Sequence, residues 1–486
     1  MTIAISIYCL LFAFLAYRRP NLALYFIIAT LPSYLIRSSL WGIPFTLLEA
    51  MIIILFVIFL IKNRLDWVGR FYRQPFFWPI VVILIIATVS MLMSPYLTGA
   101  AGIFKAYFIE PILFFIVLIS LRPVVSSLRG SSSDRGNPVN IKNHQNQTHT
   151  QNILWSLGIS AIYISVFALW QKFSGLYVPD AFLTVSGSVD RVVSIFGYPN
   201  ALGLYLGPII ILFTGFLFFP LLIPKQGATY LSTLLTHLSA SGGKERVKGE
   251  LPKKSKNQFS FWHSRIFCQT IKIVVIVLSL ITIILAQSEA AILSIVIVWL
   301  IWGLLYKKTR VIALVVIVVA IILFFSVPTF GDTLTTKVML QDWSGIVRRH
   351  IWQETEIMLK DNPIWGTGLA GYQTKIMPYH KADFEVFLYP HNIILNFWSE
   401  LGILGLLAFI WLTILYLYQN IISAIRNKDK VIYLTLTAVT IQMIIHGLVD
   451  VPYFKNDLAV LFWIVIAILI IWKGAGAVER GALEKH

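Results

Sequence analysis

Apolar and polar stretches alternate along this chain in blocks too long for a water-soluble fold. Runs of roughly 20 apolar residues, the length an α-helix needs to cross a hydrocarbon core, recur from end to end. About 13 segments qualify by this length, near 2–17, 22–36, 44–61, 76–93, 103–121, 153–170, 201–222, 271–286, 289–305, 311–327, 392–418, 431–447 and 457–472. The second is short and reads as tilted or re-entrant. The expected fold class is an all-α polytopic membrane protein, because helices satisfy their own backbone polar groups in lipid. One large, partly helical polar segment interrupts the series over 328–390.

Composition agrees. Of 486 residues, 58% are hydrophobic and 13% charged, and the mean hydropathy is +0.79. A net charge of +17 invites a nucleic-acid partner, but its distribution argues otherwise. Arg18 and Arg19, Lys62 to Arg73, Arg122 to Lys142, Lys244 to Lys256, Lys307 to Arg310, Arg426 to Lys430 and Lys473 fall in alternate loops. Such loops face the cytoplasm, which puts the N-terminus outside and the C-terminus inside. The first apolar run lacks a basic leader and precedes Arg18-Arg19, so it reads as an anchor rather than a cleaved signal. Cys9 and Cys268 lie in or beside apolar runs, which gives no disulfide framework and no thiolate cluster.

The chain therefore divides into N-terminal helices (1–122), a polar cytoplasmic loop expected to be disordered (123–152), helices with an outer loop (153–223) and a basic cytoplasmic loop (224–270). Further helices (271–327), the extracytoplasmic segment (328–390) and C-terminal helices with a tail (391–486) follow. The two cytoplasmic loops read as tolerated insertions in contact with anionic lipid rather than as sites. The extracytoplasmic segment has structure. Ile346 to Lys360 predicts an amphipathic helix with Ile351, Trp352, Thr355, Met358 and Leu359 on one face. Asn362-Pro363 ends it, and Gly366 to Tyr372 forms a glycine-rich turn.

Candidate chemistry gathers on the outer side. His391 follows Pro390 where the polar segment meets an apolar helix. A helix N-terminus disfavours imidazolium and offers N–H groups to phosphate. His391 reads as a general base or as an interfacial histidine bonded to a loop carbonyl. Asn392, Asn396 and Glu400 follow at helical spacing, a polar stripe that is costly in a bilayer. Arg348 aligns with the apolar face of the amphipathic helix and Arg349 with its polar face. Arg348 reads as a phosphate ligand or as one half of an ion pair; Arg349 reads as solvated. Arg191 stands in the outer loop before Gly197-Tyr198-Pro199-Asn200, either as an anion ligand or paired with Asp190. Lys105 and Glu110 sit in the outer half of the fifth span, where charges are functional candidates. His446 and Asp450 read as a structural i, i+4 pair. No metal-ligand spacing, nucleotide fold or cofactor motif is present, so neither metal nor cofactor is expected.

Arg191 with Gly197-Tyr198-Pro199-Asn200, Arg348 with Trp352, Asn362-Pro363-Ile364 with Gly366-Thr367-Gly368, and His391-Asn392-Ile393-Ile394-Leu395 with Glu400, Gly402 and Gly405 together resemble the O-antigen ligase and O-antigen polymerase superfamily. The resemblance covers roughly residues 100 to 455. It implies a multi-pass protein of the bacterial cell membrane, a GT-C-like, metal-independent, inverting transferase. It would move a glycan from a polyprenyl-diphosphate carrier (undecaprenyl diphosphate) to a hydroxyl of a glycan, lipid or protein acceptor. By the same resemblance His391 is the general base, and Arg191 and Arg348 bind diphosphate, with Arg349 as the alternative. Asn392, Glu400 and Lys105 complete the expected substrate contacts. Many members carry Ser-Arg where this chain has Ser288-Glu289, so that position is not carried over. A transporter or flippase of lipid-linked glycan is the competing class, and a protein O-oligosaccharyltransferase would share these residues. Transporters favour inverted repeats and midplane charges, whereas the candidates here gather at one face.

The charge alternation makes a direct prediction. With Cys9 and Cys268 replaced by serine, a membrane-impermeant maleimide should label Gln373→Cys in intact cells and Ser241→Cys only after lysis. Equal labelling of both in intact cells would refute the orientation.

Overall fold

A computed structural model describes residues 2–40, 43–63, 66–121, 138–218, 265–381, 383–427 and 430–483. Helices dominate, with one antiparallel hairpin pairing Arg37–Leu40 with Ile43–Thr46. Seven described helices are long and apolar enough to cross a membrane, or eight if a bent pair over Arg310–Asp361 crosses as one. The chain is a multi-pass membrane protein. Two of the expected spans are short helices: Phe77–Leu92 has 16 residues, within the apolar run 76–93, and Glu289–Leu305 has 17, the whole of its run. At about 1.5 Å per residue these reach roughly 25 Å, short of a hydrocarbon core of about 30 Å. The second apolar segment is the Pro20–Ala29 helix, then a 3₁₀ turn over Leu31–Leu35, then the hairpin.

The first polar loop also differs from expectation. A helix runs over Pro138–Ser174, so residues 138–152 are helical. Tertiary contacts explain this: His149 is buried and hydrogen-bonds the Tyr25 hydroxyl (2.5 Å) and the Leu118 carbonyl (3.1 Å). Most of the basic loop at 224–270 lies outside the described residues, as do 122–137.

The core forms around two sets of helices. Pro199–Phe218 packs on Lys430–Gly447 and Arg265–Leu285, while Asn456–Leu483 packs on Pro138–Ser174 and Glu110–Ser120. Ile393–Arg426 leans on Lys430–Gly447 and Phe77–Leu92, and carries the outer Trp343–Asp361 helix against it. That outer helix starts with the Asp342 carboxylate accepting the Gly345 N–H. It buries Ile351, Thr355, Met358 and Leu359 against Tyr372, Ile376 and Leu395.

The Ile393–Arg426 helix is broken at Gly402, which adopts φ 70° and ψ 178°. The glycine-rich turn docks into the break. Thr367 N donates to the Ser399 carbonyl (2.6 Å), Ile403 N to the Ile364 carbonyl (3.2 Å), and Trp398 Nε1 to the Pro363 carbonyl (2.7 Å). A Cβ on Gly402 would collide with the Ile364 carbonyl, and one on Gly366 with the Ser399 carbonyl. The two backbones touch because both positions are glycine.

Gly402 occupies a region of backbone space open almost only to glycine, where other residues cost about 1–3 kcal/mol before any clash. Gly402→Ala should therefore lower the melting temperature in detergent by several degrees, read by size-exclusion after heating. A melting curve matching the parent would contradict the docked-turn geometry.

Candidate functional site

The site begins with the cap of the Ile393–Arg426 helix. Asn392 is the N-cap: its Oδ1 accepts the Ile394 N–H (2.9 Å) and the Leu395 N–H (3.1 Å). Two of the helix's free donors are thereby used. His391 precedes the cap and lies outside the helix, with a left-handed φ of 48°, a strained setting for a non-glycine residue. The Asn392 side chain also donates to the Leu448 carbonyl (2.9 Å). This joins the His391 turn to the end of the Lys430–Gly447 helix.

The same short turn collects two more groups. Arg348 Nε donates to the Val449 carbonyl (3.1 Å), and its Nη1 donates to the Ser344 hydroxyl (2.6 Å). His391 Nδ1 stands 3.5 Å from Asp450 Oδ1. That is longer than a good hydrogen bond, yet Nδ1 has no nearer partner among the described residues. An N–H at Nδ1 facing the carboxylate leaves Nε2 as the basic nitrogen. The imidazole is held between Phe387 and Tyr389, with ring centroids at 5.3 and 4.6 Å. Trp352 Nε1 donates to the Pro390 carbonyl (2.9 Å), tying the outer helix to the residue before His391.

Asp450 is 3% exposed. Burial alone would raise its pKa. The nearby His391 imidazole, the charge of His446 and the Val451 N–H together hold it below the ordinary carboxylate value. The sign follows from linkage. A depressed carboxyl contributes stability above its unfolded value, near 3.9, and loses it as pH falls through the folded one. Asp450 therefore stays ionised opposite His391 at neutral pH.

Arg191 lies across from Arg348. Its Nε donates to the Ala286 carbonyl (3.0 Å), and its Nη2 donates to Asn200 Oδ1 (3.2 Å) and the Gln287 carbonyl (3.4 Å). Burial pulls its pKa down, Asp190 and Glu289 oppose that, and the charge of Arg348 adds to the lowering. Asp190 itself accepts from Gln287 Nε2 (3.2 Å). Among the described residues no carboxylate stands within 4.0 Å of either guanidinium. The ion-pair readings of Arg191 and Arg348 are thus set aside: neutral carbonyl, amide and hydroxyl groups hold both.

The other sequence candidates sit as follows. Arg349 is exposed. Lys105 pairs with Glu49 at 2.6 Å and donates to the Pro44 carbonyl (3.1 Å), contacts that do not include His391 or Arg348. A π-helical turn over Lys105–Ile109 separates it from Glu110, which is buried. Glu400 Oε2 accepts the Ala370 N–H (2.7 Å), so its carboxylate secures the glycine-rich turn. Asn396, one helical turn earlier, is buried. Asp450, missed as a partner of His391, belongs to the set. The i, i+4 pairing with His446 does not form because the helix ends at Gly447 and Asp450 lies beyond it.

A multi-pass helical membrane protein thus holds a histidine facing a carboxylate, and two arginines that act on one another and have no carboxylate within 4.0 Å among the described residues. Comparison with known proteins adds the family. Residues 274–410 match the model of the O-antigen ligase family, a stretch that contains Arg348, His391 and Glu400. The chain is also 28% identical over 173 residues to the O-antigen ligase of Salmonella typhimurium, covering 33% of this chain and 43% of that protein. The match therefore spans less than half the length of that relative. Both findings support the O-antigen ligase and polymerase superfamily.

The double use of Asn392 is testable. Asn392→Ala removes the cap and the tie to Leu448 and should cost about 1–2 kcal/mol. Asn392→Asp keeps the accepting oxygen and loses only the donor, so its melting temperature should lie between the two. Equal losses in both variants would assign the stabilisation to the Leu448 bond alone.

Proposed function

We propose that this protein transfers a glycan from a polyprenyl-diphosphate carrier to an acceptor hydroxyl at the extracytoplasmic face of the membrane. The reaction is metal-independent and inverts the anomeric centre. The observation that carries this reading is the pair Arg191 and Arg348, which act on one another and have no carboxylate within 4.0 Å among the described residues, with Arg348 held on the turn whose Asp450 faces His391. Two guanidiniums near one another repel, and burial adds to the cost. A bound dianion offsets both effects and matches guanidinium geometry. Arg348 has five N–H groups and uses two on Val449 and Ser344, which leaves three for a ligand.

The chemistry follows. The acceptor oxygen attacks the anomeric carbon, and a new C–O bond forms as the bond to the diphosphate breaks. The electron pair leaves on the diphosphate oxygen, where Arg191 and Arg348 stabilise it. The hydroxyl proton passes to His391 Nε2. Asp450 holds the ring in that tautomer and stabilises the imidazolium. A diphosphate departs as a stable anion, so no general acid is required.

The test is reconstitution with lipid-linked glycan and acceptor. His391→Ala should still bind donor but transfer about 10²–10⁴-fold more slowly, the usual worth of a general base. Asp450→Asn should lower turnover without changing donor binding. Arg348→Ala should weaken donor binding roughly tenfold to hundredfold, and Arg349→Ala much less. A chelator should leave the rate unchanged. Near-parental turnover by His391→Ala would remove the base from the mechanism. Equal losses in both arginine variants would undo the assignment of Arg348.

A further inference from the structure

One cation near the site has no place in that mechanism. Lys455 sits in the turn before the Asn456–Leu483 helix. Its Nζ is buried and has no hydrogen-bond partner among the described residues. No carboxylate lies within 4.0 Å of it there, although Asp457 is two residues away. Instead, three aromatic rings surround the ammonium. Tyr198 is 4.7 Å from Nζ to ring centroid, Phe196 4.8 Å and Tyr34 5.5 Å.

An aromatic cage compensates an ammonium only partly. The attraction of a ring face is modest, and ring faces offer no acceptor lone pairs. A dehydrated ammonium keeps three donors pointing outward. The cage is also wired to His391. Phe196 and Tyr198 come from the outer loop that carries Arg191. Tyr198 lies close enough to Tyr389 to act on it electrostatically, and Tyr389 is tilted against the His391 ring at 4.6 Å between centroids. Tyr198 and Tyr389 thus lie between the Lys455 ammonium and His391. It is not among the charges acting on Arg191, which are those of Asp190, Glu289 and Arg348.

We infer that Lys455, with Tyr34, Phe196 and Tyr198, forms a second anion subsite of this centre, taking a phosphate group on one of the sugar substrates. The inference rests on the glycan-transfer reading above and extends it. The aromatic walls suit the apolar face of a sugar, and the ammonium suits its phosphate. The phosphate has two sources, the carrier diphosphate or a phosphorylated sugar of the acceptor.

The experiment measures binding to the full-length protein in nanodiscs with two probes, undecaprenyl diphosphate and glucose 6-phosphate, for the parent, Lys455→Met and Arg348→Ala. Lys455→Met should weaken one probe roughly tenfold or more, and the probe affected names the source. If Lys455→Met binds both probes within twofold of the parent while Arg348→Ala loses undecaprenyl diphosphate, the subsite is refuted and the transfer reading stands. If the parent binds neither probe, the subsite is refuted and the donor assignment falls with it. Should Lys455→Met fail to fold by size-exclusion, Lys455→Gln gives the same readout. Its retained affinity for both probes overturns the inference equally.

Discussion

The turn Leu448–Asp450 is the constraint on which the site depends. It follows the C-terminus of a buried helix, where carbonyls lack helical partners and the macrodipole is negative. In a membrane protein such carbonyls need donors from elsewhere in the chain. Asn392 satisfies Leu448 and Arg348 satisfies Val449, while the next side chain, Asp450, faces His391. Two segments distant in sequence, one with Arg348 and one with His391 and Asn392, are thereby fixed against one short stretch of backbone. The contacts that pair those carbonyls also fix the positions of His391 and Arg348.

The restraints on His391 come from every side. Asn392 caps the helix immediately after it, Trp352 holds the carbonyl immediately before it, and Phe387 and Tyr389 flank its ring. Together they over-determine a left-handed backbone that a histidine would not adopt freely. Below it the helix is interrupted at Gly402, and the glycine-rich turn fills the gap, with Glu400 accepting from Ala370. Of the polar stripe, Asn396 has no side-chain hydrogen-bond partner among the described residues, while Asn392 and Glu400 act on backbone N–H groups that the irregular segments leave unpaired. This also accounts for a carboxylate in a helix otherwise suited to lipid.

Much of this was legible in the chain, for reasons that differ by residue. Arg348 and Arg349 were separable because helical periodicity puts adjacent residues on different faces; the structure has Arg348 half-buried and Arg349 exposed. The outer helix was legible from its apolar stripe, though it begins at Trp343, where Asp342 caps it. The His391–Asp450 contact was not legible. It joins distant segments, and the spacing rule that suggested His446 holds only inside a helix, which ends at Gly447. The break at Gly402 was hidden because apolar periodicity continues across it. The described helices long enough to span number seven or eight against about 13 apolar runs, because hydropathy measures apolar length, whereas crossing a bilayer needs helical length. The helix at 138–152 was missed because its polar residues find partners far away in sequence.

The two arginines show how a membrane site stores charge. A carboxylate partner would stabilise each guanidinium but would also compete with an anionic ligand. Neutral acceptors orient the guanidinium and leave its charge available. Arg191 is gripped by two carbonyls and an amide oxygen, Arg348 by a carbonyl and a hydroxyl. Where this protein does pair its outer cations with acids, as in Lys105 with Glu49 and Lys337 with Glu289 and Asp342, the charge is already spent on structure. The division between paired and unpaired cations therefore separates charges offset by an acid from charges held by neutral acceptors.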